Sequence, residues 1–174
     1  MLEIIGNIFD LNSWSCKPTT PEIALCVTTN GVVKANGQAV MGAGRKQSFP
    51  VVEDDDLSLR LCAKAFTIIY PQLPTILGQK LTCCGNQVHY LLTDANTHIL
   101  SFPTKHHWRD SSDLALIENS ARTLAELAVL KPYCTFILTR PGSSLGCLSW
   151  STVKNSIATI LPDNCWVIDR DFKH

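Results

Sequence analysis

Short, unbroken apolar runs alternate along this chain with longer stretches in which apolar residues return every third or fourth position. The runs are Leu2–Ile5, Ile23–Thr28, Val88–Leu92, Ile99–Phe102, Cys134–Thr139 and Cys165–Ile168. Continuous apolarity over so few residues predicts strands covered on both faces, because a strand with one wet face would alternate. The clearest helical stripe is Asp113–Leu130, where Leu114, Ile117, Ala121, Leu124 and Ala128 fall on one face. Glu118 and Arg122 make a favourable pair on its exposed side, Ser111 or Ser112 can cap its start, and Pro132 follows its end. Further helices are predicted over Leu57–Ile69, which ends before Pro71, and over Thr75–Leu81. Another starts near Ser151, with Val153, Ile157 and Ile160 inward and Pro162 as its stop. Strands alternating with helices predict an α/β fold, a three-layer α/β/α sandwich around a mostly parallel mixed sheet.

Composition narrows the class without naming a chemistry. A chain of 174 residues with 45% apolar content fits one globular domain with a substantial core, spanning 1–174. Lys+Arg and Asp+Glu balance at 15 each, so the basic excess of a protein gripping nucleic acid through its phosphates is missing. No stretch approaches a membrane-spanning length and no secretory signal is evident. The eight cysteines contain no C-x-x-C, and Cys26, Cys134 and Cys165 lie inside apolar runs. They read as structural thiols rather than metal ligands, in a reduced, cytoplasmic protein that acts as a monomer without a metal or cofactor.

Candidate chemistry sits where strands end. The run ending at Asn30 leads on to Met41-Gly42-Ala43-Gly44, and the run ending at Thr139 leads into Pro141-Gly142-Ser143-Ser144-Leu145-Gly146. Glycine lets backbone N–H groups turn toward a ligand, so two such loops can form an anion cradle. In open α/β sheets that cradle lies beyond the carboxyl ends of the strands. A third segment there, Phe102-Pro103-Thr104-Lys105-His106-His107-Trp108, follows the Ile99–Phe102 strand. The two histidines lack a third ligand at a suitable spacing, so they read as a packed turn or a lining of the cleft. Trp150 reads as an anchor for the second loop. Glu53-Asp54-Asp55-Asp56 read as a solvated surface segment rather than a metal site.

Taken in order, these segments resemble the macro domain, an α/β module that binds ADP-ribose. Gly6-Asn7-Ile8 is similar to the family's G-D-I, Val27-Thr28-Thr29-Asn30 to its N-A-A-N, and Met41-Gly42-Ala43-Gly44 to its first ligand loop. Phe102 to Arg109 resembles the F-P-T-K-x-H-W-R stretch of a branch containing DNA ADP-ribosyl glycohydrolases, and Pro141–Trp150 resembles that branch's second loop. The resemblance implies a macro-domain-like sandwich with an insertion at about 45–61, carrying ADP-ribose or an ADP-ribosylated substrate as partner. It implies that Asn7 and the Ile8 backbone meet adenine, with Asn7 in place of the family's aspartate. Asn30, beside Thr29, would meet the distal ribose, and Gly42, Ala43 and Gly44 would wrap the ribose and diphosphate. Gly142, Ser143, Ser144, Leu145 and Gly146 would supply donors to the diphosphate.

The resemblance also singles out Lys105, with Asn30, as the candidate catalytic pair. Lys105 can be a nucleophile, a proton donor, a fixed charge, or an ordinary surface lysine. Relatives with the covalent lysine route carry an acidic residue in the second loop. Gly146 stands at that position here, and Ser149 where the branch often has Asp. Three functions follow as expectations: an ADP-ribosyl hydrolase, a non-catalytic ADP-ribose reader, and an ADP-ribose 1″-phosphate phosphatase.

Overall fold

The computed structural model describes residues 1–42, 62–143 and 145–170. The insertion at about 45–61, with its acidic run and the first residues of the Leu57–Ile69 helix, lies outside the described residues. Ala43, Gly44 and Ser144 do as well.

The strands are β1 (Leu2–Ile5), β2 (Glu22–Asn30), β3 (Tyr90–Asp94), β4 (Thr97–Lys105), β5 (Cys134–Thr139) and β6 (Cys165–Asp169). They form one sheet in the order β1-β6-β5-β2-β4-β3, parallel except for the β3–β4 pair. The helices are α1 (Cys62–Ile69), α2 (Leu73–Cys84), α3 (Leu114–Leu130) and α4 (Trp150–Ile157). Neighbouring residues of the central strands feed two different cores. Ala24 and Cys26 of β2, with Phe136 and Leu138 of β5, pack with α3 and α4 on one face. Leu25 and Val27, with Ile137, pack with α1 and α2 on the other. Both faces of the sheet are therefore dry, which is why these strands read as unbroken apolar runs. Each fully buried side chain of this kind, such as Phe136, contributes about 1.5–3 kcal/mol.

Several boundaries differ from the sequence reading, most of them for a local reason. The Val88–Leu92 strand is shifted to Tyr90–Asp94, with an irregularity between Tyr90 and Leu92, and runs antiparallel to β4. The residues joining β3 to β4 include Ala95 at φ 48, a tight reversal that the apolar pattern does not signal. Helix α3 is capped by Asp113 rather than by a serine. Its carboxylate accepts from the backbone N–H groups of Ala115 (2.9 Å) and Leu116 (3.4 Å). Helix α4 begins at Trp150 because Ser149 Oγ accepts from Thr152 N at 3.1 Å, and α2 extends to Cys84. Strand β4 runs past the predicted Phe102 to Lys105 despite Pro103. Its pairing with β3 stops at Leu100, so the missing N–H of Pro103 costs no bond on that side.

Candidate functional site

A cleft of about 630 Å³ opens beyond the carboxyl ends of the parallel strands. Of the residues picked out by sequence, Asn7, Ile8, Thr29, Asn30, Gly42 and Lys105 line it. So do Gly142, Ser143, Leu145 and Gly146 from the second loop. The strand order explains the convergence, because β1, β6, β5, β2 and β4 are consecutive neighbours whose ends all face one side.

Asn30 and Lys105 are partners in the β2–β4 register, just past an irregularity between Thr29 and Asn30. A bulge at that point re-aims side chains at a strand end. The Asn30 side chain is nearly buried and spans its own wall. Its Nδ2 donates to Val40 O at 2.8 Å, while its Oδ1 accepts from Val32 N at 3.1 Å. Each amide atom retains one further bonding direction for a ligand. Gly42 follows at φ +63, and a Cβ there would lie 2.7 Å from Lys64 N, so α1 packs directly on the loop backbone.

Lys105 is held across the cleft. Its Nζ donates to Asp110 O at 2.6 Å and to Leu145 O at 2.7 Å, tying the turn after β4 to the second loop. An ammonium has three donors, so one remains for a ligand. The same turn carries Trp108 onto the cleft wall, with the His107 ring stacked 5.5 Å from it and the Arg109 guanidinium 4.6 Å from its centroid. His106 pairs with Asp113 instead, at 3.2 Å. The histidines therefore organise the turn, one of the two alternatives left open by their spacing.

The second loop closes on itself and on the start of α3. Leu148 N donates to Gly142 O (3.0 Å), and Ser112 N donates to Gly146 O (2.8 Å). A Cβ on Gly146 would lie 2.2 Å from Ser112 Oγ and 2.3 Å from Gly142 O. No side chain fits there, so an acidic residue could not replace Gly146 without rebuilding this wall. Ser149, whose counterpart in the similar branch is often Asp, serves as the α4 cap, a role Ser and Asp fill about equally well.

Asn7 sits on the adenine side implied by the resemblance, and its backbone is fixed from two sides. Asn7 N donates to Ser13 Oγ at 2.7 Å, and Trp14 Nε1 donates to Asn7 O at 2.6 Å. The side-chain oxygen of Asn7 accepts from Phe9 N at 3.1 Å, leaving it one lone pair for a base.

Beside Thr29, which the sequence reading placed at the ligand, two groups in the cleft escaped that reading as ligand contacts. Ser112 is 8% exposed, and its hydroxyl has no hydrogen-bond partner among the described residues. The Thr29 hydroxyl is in the same condition, and both residues line the cleft. A buried hydroxyl without a partner is costly unless something arrives to bond it. The other group is the Arg140–Asp169 ion pair at 2.9 Å, where the guanidinium also lies 5.3 Å from the Trp150 ring centroid. Trp150 in turn donates from Nε1 to Glu3 at 3.0 Å, so it anchors the base of this wall. Burial alone would raise the Glu3 carboxyl, but hydrogen bonds from Lys154 and Trp150 hold it below its ordinary value. Asp169 ends β6 and Arg140 follows β5 directly, and the rule that ligands sit at strand ends would have flagged them. Cys62 also lines the cleft, and burial pushes its thiol up to about 12, which makes it unreactive there.

The chemistry available is anion binding on glycine backbone and hydroxyls, beside one fixed ammonium. Solved structures with the same architecture include the macrodomain of Mycobacterium tuberculosis DarG, 24% identical with a TM-score of 0.64 over 96% of each chain. The macrodomain of Thermus aquaticus DarG is 22% identical, with a TM-score of 0.64 over 97% of each chain. Thermosipho africanus DarTG in complex with ADP-ribose is 20% identical with a TM-score of 0.60, covering 83% of this chain and 37% of that one. A scan against protein-family models and a search of the curated proteins returned no match. The fold of this chain is the macrodomain fold.

Proposed function

We propose that the cleft binds ADP-ribose and that the protein hydrolyses ADP-ribosyl conjugates in it. The observation supporting this reading is that two backbone-lined walls and Lys105 meet in one nucleotide-sized cleft at the strand ends. A similar fold solved in complex with ADP-ribose adds to it. In this reading the diphosphate lies against Gly142–Gly146 with Ser112 beneath it, adenine lies by Asn7 and Ile8, and the distal ribose lies between Asn30 and Lys105. Water replaces the acceptor at the anomeric carbon of that ribose, and the acceptor leaves with a proton. Lys105, with its amine held by two carbonyls, acts as a placed positive charge for the departing group rather than as the attacking atom.

The same two bonds favour a second reading, in which Lys105 is a structural clamp and the domain is a reader of ADP-ribose. Calorimetric titration with ADP-ribose followed by turnover assays separates the two. The assays use ADP-ribosylated DNA, ADP-ribosylated protein and ADP-ribose 1″-phosphate. A group acting only as the bond breaks contributes little to ground-state affinity. Lys105→Ala is therefore expected to keep ADP-ribose affinity within about tenfold while lowering turnover by about a hundredfold. Binding without turnover in the wild type leaves the reader, and absence of binding removes the cleft assignment altogether.

A further inference from the structure

At the amino ends of the same strands, opposite the cleft, the register assembles a second cluster. Glu22 at the start of β2 pairs with Cys134 at the start of β5. Ala24, two residues along β2 and on the same face as Glu22, pairs with His98 of β4. Residues paired across parallel strands share a face, so Glu22, His98 and Cys134 gather at one corner beneath α3, with the Glu22 carboxylate at its partly exposed rim. Their ligand atoms all lie within 4.8 Å of one another. His98 is 7% exposed and Cys134 is fully buried.

Two further observations concern what this corner lacks. Thr93 Oγ1 lies 3.0 Å from His98 Nδ1 and fixes the ring, so that Nε2 faces Glu22 Oε2 at 3.1 Å. A hydroxyl or carboxylate orienting the far nitrogen is the usual support for a metal-binding histidine. Beside it the Tyr90 ring stands edge-on to His98, with centroids 5.8 Å apart, and its buried hydroxyl has no partner among the described residues.

We propose that Glu22, His98 and Cys134 form a zinc site, with a fourth position open to water or the Tyr90 hydroxyl. One carboxylate, one imidazole and one thiol suit zinc, whereas calcium and magnesium take oxygen ligands. Tetrahedral bonds of about 2.0–2.3 Å place ligand atoms about 3.3–3.8 Å apart, so small side-chain rotations close the cluster on an ion. A bound dication supplies the positive charge that lets the thiolate exist in this corner. Lys131 Nζ, 4.0 Å from Glu22 and half-exposed, is free to swing outward as the ion takes the carboxylate. The ion would then join β4, β2 and β5 at the end of the sheet remote from the cleft.

Cobalt titration of the reduced, full-length chain tests the site, since a thiolate ligand to cobalt gives a charge-transfer band in the near ultraviolet. The expected result is one equivalent of saturable band, displaced by zinc, and a rise in Tm of about 5 °C with excess zinc. Cys134→Ala and His98→Gln should each abolish both effects. Cys16, Cys83, Cys84 and Cys147 are exposed and could bind cobalt on their own. The quadruple Cys→Ser variant at those positions should therefore retain the band. If Cys134→Ala fails to fold, His98→Gln decides the question with the core cysteine intact. No band in the wild type, or a band that survives His98→Gln, overturns the proposal.

Discussion

On the first wall of the cleft a side chain fixes the backbone, whereas on the second the backbone fixes itself. Asn30 reaches from the end of β2 to Val40 and Val32, so one buried carboxamide reinforces the backbone bonds, Val40 N to Val32 O and Ala39 N to Pro74 O, that hold the loop leading to Gly42. Among its described residues the second loop's own side-chain bond is a short-range one, from Ser143 Oγ to Arg140 O at 3.0 Å. The loop is folded by the Leu148–Gly142 bond, seated on Ser112 through Gly146, and tied across the opening by Lys105. The first wall tolerates little change at one polar residue, while the second tolerates no side chain at one bare backbone position. Binding and stability should separate differently on the two sides.

The largest effect is expected at Gly146. Valine there drives its Cβ into Ser112 Oγ and Gly142 O, which lie 2.2 and 2.3 Å from the ideal position, and the loop must open. Gly146→Val should weaken ADP-ribose by about a hundredfold or more, about 2.7 kcal/mol, as read by calorimetry. An unchanged affinity in a folded variant would detach the second wall from the site. On the first wall, Asn30→Ala strands Val40 O and Val32 N together. Denaturant unfolding should show a loss of about 1–3 kcal/mol, in contrast to a smaller stability change for Gly146→Val. Equal losses for the two variants would erase the distinction between the walls.

The legible part of this molecule was the part set by repeating pattern. Two-sided strands such as Cys134–Thr139 and the α3 stripe announce themselves because burial on every turn or on both faces writes the sequence directly. The glycine loops were legible as loops, and the ordered motifs pointed them at one ligand. The strut role of Asn30 and the double grip of Lys105 were not visible. Lys105 depends on Leu145 O, far along the chain, and Asn30 on Val40 O across a loop, and only the folded structure brings either carbonyl near. Ser112 was read as a helix cap because a serine before an apolar stripe usually is one. Asp113 takes the cap, and the Ser112 hydroxyl is left buried at the cleft wall with no partner among the described residues. The Glu22, His98 and Cys134 corner was hidden for the same reason, since no spacing rule links residues on three separate strands.

Ser112 offers a sharper division than either wall residue. Its buried hydroxyl has no partner among the described residues and sits under the loop that the proposed diphosphate would touch. Ser112→Ala should leave stability unchanged or slightly higher, because an unsatisfied polar group is removed. ADP-ribose affinity should fall by about tenfold, equivalent to one lost bond to a charged acceptor of about 1.5 kcal/mol. A loss of stability with no change in affinity would mean the hydroxyl serves the fold and not the ligand.

The smallest effect is expected at the seam between α3 and the second wall, where Asp113 caps the helix one residue after Ser112. The backbone N–H of Leu116, then that of Ala115, and the His106 ring hold its carboxyl below the ordinary aspartate value. A carboxyl lowered in the folded state stabilises fully above its unfolded pKa of about 3.9, and that contribution fades as pH falls through the lower folded value. Asp113→Ala should cost about 1 kcal/mol at neutral pH, and the difference from wild type should shrink below about pH 4. Asp113→Asn keeps a capping oxygen that does not titrate, so its stability curve should lie near the wild type at neutral pH and approach or cross it in acid. Because Ser112 N stays bonded to Gly146 O in both variants, ADP-ribose affinity should hold within about twofold, roughly 0.4 kcal/mol. A larger drop in affinity would show that the second wall leans on the helix cap as well as on its own backbone, and the contrast between the walls would narrow accordingly.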